Sequence, residues 1–451
     1  MKFKKFGKTL LMIAISGGVI LGITSCVQSF TVGYLYVTGT NSSASASNAG
    51  IISGFKIDHN KGNLTPINGL PVSSGGANPG RAVLLTGSRF VYVLNRGANS
   101  TDGTPNCTAT NQCSGANISL FAIGGNGILS QQGQTFFSQG INPIRLFADT
   151  AGNFLYVLDS IAPDSTSCAL ALGAGVTSCG DITAFKIDPT TGRLTLVVNA
   201  QVTSASGQPL PYFPVPANPI DFVLASSFII TLSGTPATGD AVFPYTYSSA
   251  SGQLTVNQNS SQPLNIAQAT AIISASGSVW VLDAETASYT VGGTVQTAPS
   301  WIFQSTVGAN GALQPAVSGS VPGPPTVTNP IYLIPESKSG KWIYVAYQGN
   351  NNTSSGNTES GIAGYVVDPQ NKSLDDGQVS GSPFGSGSGP QCLLEDPSSQ
   401  FIYTANFNDS TVTGRVIDQN AGVLNNLPGS ANKSYPLSGP AAWCIATGRT
   451  S

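Results

Sequence analysis

Hydrophobic positions fall in short runs along this chain, separated by clusters of Gly, Pro, Asn, Asp and Ser. The clearest stretch lies between Pro143 and Leu196. NPIRLFADTAGNFLYVLDS gives two apolar runs joined by DTAGN, and after a Cys-bearing insert DITAFKIDPTTGRLTL gives two more joined by DPTTG. Runs of this length bounded by turn chemistry predict β-strands, and four in succession predict one antiparallel meander. The runs are apolar on consecutive residues rather than alternating, so each strand is expected to be covered on both faces.

The pattern repeats. The second strand recurs as LYVTG (Leu35 to Gly39), VYVLN (Val91 to Asn95), LYVLD (Leu155 to Asp159), IITLS (Ile229 to Ser233), VWVLD (Val279 to Asp283), IYVAY (Ile343 to Tyr347) and IYTAN (Ile402 to Asn406). A first strand opened by Pro precedes most copies, at Pro79, Pro143, Pro219, Pro330, Pro390 and Pro440. Pro at a strand start removes no ladder hydrogen bond, so it marks where each unit begins. A hairpin with Gly just before Leu or Ile follows the third strand, as in KGNLT, TGRLT and SGQLT, where a short turn needs positive φ. One isolated meander cannot bury either face, so the copies must stack. The chain opens with a second strand and closes with a lone first strand, GPAAWCIATG, which can pair beside it. The prediction is an all-β, seven-bladed propeller of four-stranded antiparallel blades over 33–451, closed by strands from both ends.

Composition changes the picture in two places. Charged residues are only 8% of the 451, against about 25% in an average domain. Lys2, Lys4, Lys5 and Lys8 precede an apolar segment from Leu10 to Ile23, which reads as an export signal over 1–25. Setting those four aside leaves 14 of the 18 basic residues against 20 acids, a formal charge of −6. No basic stripe is present, which argues against nucleic acid as a partner. Ile23-Thr24-Ser25-Cys26 resembles the lipobox of bacterial lipoproteins. That resemblance implies a lipidated Cys26, a short linker over 26–32, and a domain anchored to the cell envelope; a monomer is expected.

Six further cysteines remain, an even number in an exported chain. Cys107 with Cys113 and Cys168 with Cys179 each fall inside one insert and are expected to pair locally. Cys392 and Cys444 fall in neighbouring inner strands, so they are expected either to bond across the ring closure or to remain two buried thiols. With one His and no C-x-x-C, neither a metal nor a cofactor is expected.

The strand motif and the F-x-I-D-x-x-T-G-x-L-T hairpin resemble the lactonase-type seven-bladed propellers, the family of 6-phosphogluconolactonase and the YVTN-repeat surface proteins. The resemblance covers essentially the whole chain after the signal. It implies the fold and, as an activity, opening of a lactone ring by an inner-strand His with arginine and carboxylate partners. This chain departs from that set. Its D-L-G-x-D counterpart is Asp159-Ser160-Ile161, its inner strands carry Arg81, Arg145, Asp221, Tyr332 and Cys392 two residues past Pro, and its single His59 sits in a hairpin turn.

The long inserts, 97–116, 160–180, 284–300 and 348–360, all join second to third strands and so share one face. Arg81, Arg96, Arg145, Asp159, Asp221 and Asp283 are expected to converge there, at the channel mouth. Two readings of them stand: forked hydrogen bonds to a carboxylate, phosphate or sugar acid, or ion pairs between blades. Two functions are expected as alternatives: a binding scaffold for an envelope protein, glycan or small anionic sugar or lactone, presented on the loop-rich face, and a lactone hydrolase with an atypical Arg/Asp site.

Overall fold

The computed structural model describes residues 30–449 apart from 43–47, 86, 88, 235–238, 257–261, 265, 267, 285–288, 292–293, 297–300, 323–327, 350–359, 371–373, 375–376 and 430–433. The expected signal over 1–25, Cys26 and most of the 348–360 insert lie outside the described residues. Seven antiparallel blades form one ring. Their innermost strands are Pro79–Leu84, Ile141–Ala148, Pro219–Ala225, Ala269–Ala275, Pro330–Pro335 and Pro390–Glu395 for blades 2 to 7. Blade 1 takes its inner strand from the other end of the chain. Ala441–Gly448 pairs with Thr31–Thr40 in register from Gly33↔Gly448 to Gly39↔Ala441.

Each inner strand carries an irregularity at the same height, one per blade. The repeated Asn-Pro explains it in four of them. Asn78, Asn142, Asn218 and Asn329 adopt left-handed φ of 46°, 63°, 53° and 56°, a conformation Asn tolerates better than most side chains. The carbonyls of Asn78, Asn218 and Asn329 each accept the N–H at the end of the adjoining second strand, at 3.1, 2.9 and 3.0 Å. The resulting bulge re-aims the residue two past Pro.

Between blades, a tyrosine of one second strand reaches the hairpin glycine of the next blade. Tyr36 Oη donates to Gly127 O at 2.7 Å, Tyr92 to Gly192 at 2.5 Å, Tyr156 to Gly252 at 3.1 Å, Tyr344 to Gly422 at 2.7 Å and Tyr403 to Gly62 at 2.6 Å. The last of these crosses the closure. Repetition of these aromatics thus serves contact between neighbouring blades.

The three cysteine pairs, 107/113, 168/179 and 392/444, are disulfides. Three of the inserts carry regular structure in their described residues. Strands Phe90–Ala98 and Ser114–Ile123 extend into the first, a helix Ser165–Leu172 capped by Asp164 occupies the second, and a two-stranded hairpin, Tyr289–Val291 with Thr294–Gln296, occupies the third. A further hairpin of Asn199–Thr203 with Pro209–Leu210, between blades 3 and 4, has no signal in the repeat.

Candidate functional site

The re-aimed inner-strand position forms a layer across the channel: Arg81, Arg145, Asp221, Ala271, Tyr332 and Cys392 from blades 2 to 7. In blade 1 the shift between Thr38 and Gly39 puts Trp443 there, opposite Thr38. Counting from Pro440 would instead select Ala442, so this residue is missed by spacing alone. Only the register of the closing strand identifies it.

Asp221 is fully buried and is the hub of the layer. Its carboxylate accepts from Arg81 Nη2 at 2.8 Å, from its neighbour Phe222 N at 2.9 Å, and from Ile272 N of blade 5 at 3.4 Å. Arg145 Nε stands 3.5 Å away, close enough for an ion pair but not aligned as a hydrogen bond. Arg81 also lies against two aromatic rings, its Cζ 4.8 Å from the Trp443 centroid and 5.8 Å from that of Tyr332. Those rings meet edge to face at 4.8 Å. Cation–π contact of this kind stabilises a guanidinium and helps to hold it in place.

Above this layer opens a cavity of about 690 Å³ on the insert-bearing face. Arg81, Arg96, Arg145 and Trp443 line it, with the amides of Asn48, Asn329, Gln348 and Gln391 around them. Burial lowers Arg145 to about 10; Asp221 opposes that shift, and the charges of Arg81 and Arg96 add to it. Burial also lowers Arg96. Both guanidiniums remain cationic at neutral pH. Among the described residues Arg81 and Arg145 share the single Asp221, and Arg96 has no carboxylate partner. Such a cavity suits an anion.

The structure brings together four of the six residues expected at the mouth. Asp159 and Asp283 stand apart from these four: both are buried at the ends of their second strands and neither lines the cavity. Asp159 points instead at Asp181, directly opposite in the next strand. The sole histidine is on the opposite face, where the His59 ring stacks on Phe30 at 4.2 Å and the His59 backbone N–H donates to Phe30 O at 2.9 Å.

Solved structures that match over nearly the full length include three described as lactonases. A putative 6-phosphogluconolactonase from Bacteroides fragilis has a TM-score of 0.63 at 14% identity, over 92% of this chain and 98% of its own. A second, from Bacteroides uniformis, has 0.62 at 13%, over 93% and 100%. The periplasmic gluconolactonase of Pseudomonas aeruginosa has 0.61 at 13%, over 93% and 100%. The chain has the fold of the lactonase-type propellers. At these identities the likeness is one of fold. No family model matches the sequence, and no curated protein matches it.

Proposed function

We propose that this is an exported propeller that binds a small sugar acid, or the lactone of one, in the axial cavity. The observation that carries the reading is the guanidinium cluster of Arg81, Arg96 and Arg145 over one buried carboxylate. Arg81 and Arg145 are oriented by Asp221, so a bound carboxylate would meet preorganised donors, while Arg96 supplies a charge with no carboxylate partner among the described residues. Amide side chains around the mouth suit hydroxyl groups, and the exposed part of Trp443 suits the apolar face of a sugar ring.

Hydrolysis is the second reading, favoured by the names of the similar structures. It needs a group that activates water. Asp221 has its oxygens committed to Arg81, Phe222 and Ile272 and no exposure to water. His59 is on the far face. These placements support binding over catalysis.

The address belongs to the same proposal. Three disulfides fit an oxidising compartment, and the charged and apolar leader ending at Cys26 fits a lipid anchor. The first strand starts at Thr31, beside Asp58 at the hairpin face. An anchor upstream of Phe30 would therefore leave from the face opposite the arginines and turn the cavity away from the bilayer.

Calorimetric titration with gluconate, with lactone loss measured in parallel, tests the reading. Wild type is expected to bind gluconate, Arg145→Ala at least about tenfold more weakly, as for loss of one charge-assisted contact, and the lactone is expected to decay at the buffer rate. Equal affinities would remove the site; clear acceleration of lactone loss would replace binding with hydrolysis.

A further inference from the structure

The insert of blade 2 forms one wall of the arginine-lined cavity. Asp102, Gly103, Thr104 and Pro105 all face it. Nothing in the blade repeat demands this segment, and it is held more firmly than an ordinary surface loop. Asn78 Nδ2 donates to the carbonyls of Gly97 and Gly103, each at 2.8 Å. Asn99 Oδ1 accepts from the N–H groups of Thr101 and Asp102 at 2.9 and 3.0 Å, and Asn99 Nδ2 donates to Asn106 O at 3.1 Å. The Cys107–Cys113 disulfide closes its far end. Gly103, at φ 71°, passes so near Asn48 that an added Cβ would lie 2.5 Å from the amide nitrogen. The loop is thus seated on blade 1 as well as blade 2.

At its tip Asp102 is exposed, with Oδ1 accepting from Thr104 N–H and Thr104 Oγ1 at 2.8 Å each. Those bonds hold its carboxyl below the usual carboxylate range, so it is anionic at any neutral pH. The cavity therefore carries guanidinium groups on its axial floor and a fixed carboxylate on its rim. A cleft walled by protein concentrates such fields, so they act on a ligand more strongly than on an open surface.

We infer that Asp102 is a specificity-determining residue of this site, selecting sugar mono-acids whose far end is a neutral hydroxyl and rejecting those with an anionic group at both ends. This rests on the anion-binding reading of the cavity. The carboxyl group of the ligand meets Arg96 and Arg145, and its distal hydroxyl donates to the Asp102 carboxylate. A diacid places a second negative charge against Asp102, and like-charge juxtaposition is a recognised device of discrimination.

The test compares gluconate with glucarate, its diacid, on wild type and Asp102→Asn in low-salt buffer. Wild type is expected to prefer gluconate by roughly fivefold or more, and Asp102→Asn to reduce the preference below about twofold, mainly by gaining affinity for glucarate. Asp102→Lys should reverse the order, which a merely loosened loop cannot do. An unchanged ratio in both variants, or a wild-type preference for glucarate, overturns the role of Asp102 and leaves the arginine site standing. Binding of neither acid to wild type overturns both.

Discussion

Asp159 and Asp181 face each other across blade 3, where blade 2 has Asn95 and Asn117. The amides satisfy one another: Asn95 Nδ2 donates to Asn117 Oδ1 at 2.9 Å and to Ser119 Oγ at 3.2 Å. Two carboxylates have no donor to exchange. Asp159 Oδ1 accepts from Ser138 Oγ at 2.8 Å and Asp181 Oδ1 from Thr183 Oγ1 at 3.3 Å, while the Oδ2 atoms of both are buried without a partner. Burial pushes Asp159 up to about 8, against the bonds from Ser138 and Gly140. Burial, and then the charge of Asp159, push Asp181 well above the usual range. An unfolded aspartate titrates near 3.9, so the folded pair keeps protons that the unfolded chain gives up. Its contribution to stability is complete below about pH 4 and is lost as pH rises toward about 8. Asp181→Asn restores a donor as in blade 2. It is expected to stabilise the protein by on the order of 2 kcal/mol at pH 8 and by much less at pH 4, a difference that denaturant melts at the two pH values will read. The sequence gives the cross-strand acids no distinguishing mark: Asp159 looks like any other polar strand end until the register puts Asp181 opposite.

The latch from each second-strand tyrosine to the next hairpin joins strand chemistry to ring assembly. Gly252 has φ 72°, and a Cβ there would lie 2.4 Å from Phe154, so the turn and the packing both require glycine. The same arrangement places Gly62 against Phe401, Gly127 against Tyr34, Gly192 against Phe90 and Gly422 against Trp342. Tyr156→Phe leaves the Gly252 carbonyl without its buried donor and is expected to cost about 1 to 3 kcal/mol of unfolding free energy; a denaturation midpoint equal to wild type would count against the latch. Both halves of the device were legible in the sequence, the Y-V strand and the G-x-L hairpin, because each is a local requirement of backbone or burial. Blade 4 has Ile230 in place of the tyrosine, and in blade 5 Trp280 Nε1 turns back to Ala275 O at 3.1 Å. The helix at Ser165–Leu172 and the hairpin at Asn199–Thr203 were not legible, since neither follows the repeat.

Closure joins the two ends of the chain and completes the site at one stroke. The strand that seals blade 1 carries Cys444, bonded to Cys392 of blade 7, and beside it Trp443, which covers Arg81. A cross-link over a separation of 52 residues stabilises by roughly 2 to 4 kcal/mol, and here it also holds one wall of the cavity. The ring, the order of its strands and the face bearing the inserts could be read from repeat spacing. Of the site, Arg81, Arg96, Arg145 and Asp221 could be placed at the mouth, but which of them pair could not, because pairing depends on how seven inner strands converge. Trp443 and Asp102 were invisible to spacing, one displaced by the bulge at Gly39 and the other carried by an insert. The central claim is that the axial cavity is an anion site organised around these arginines. A crystal structure of the protein soaked with gluconate tests it most directly: the carboxylate is expected within hydrogen-bonding distance of Arg96 or Arg145, above Asp221. Gluconate bound on another face, or a cavity holding only water under saturating ligand, would contradict it.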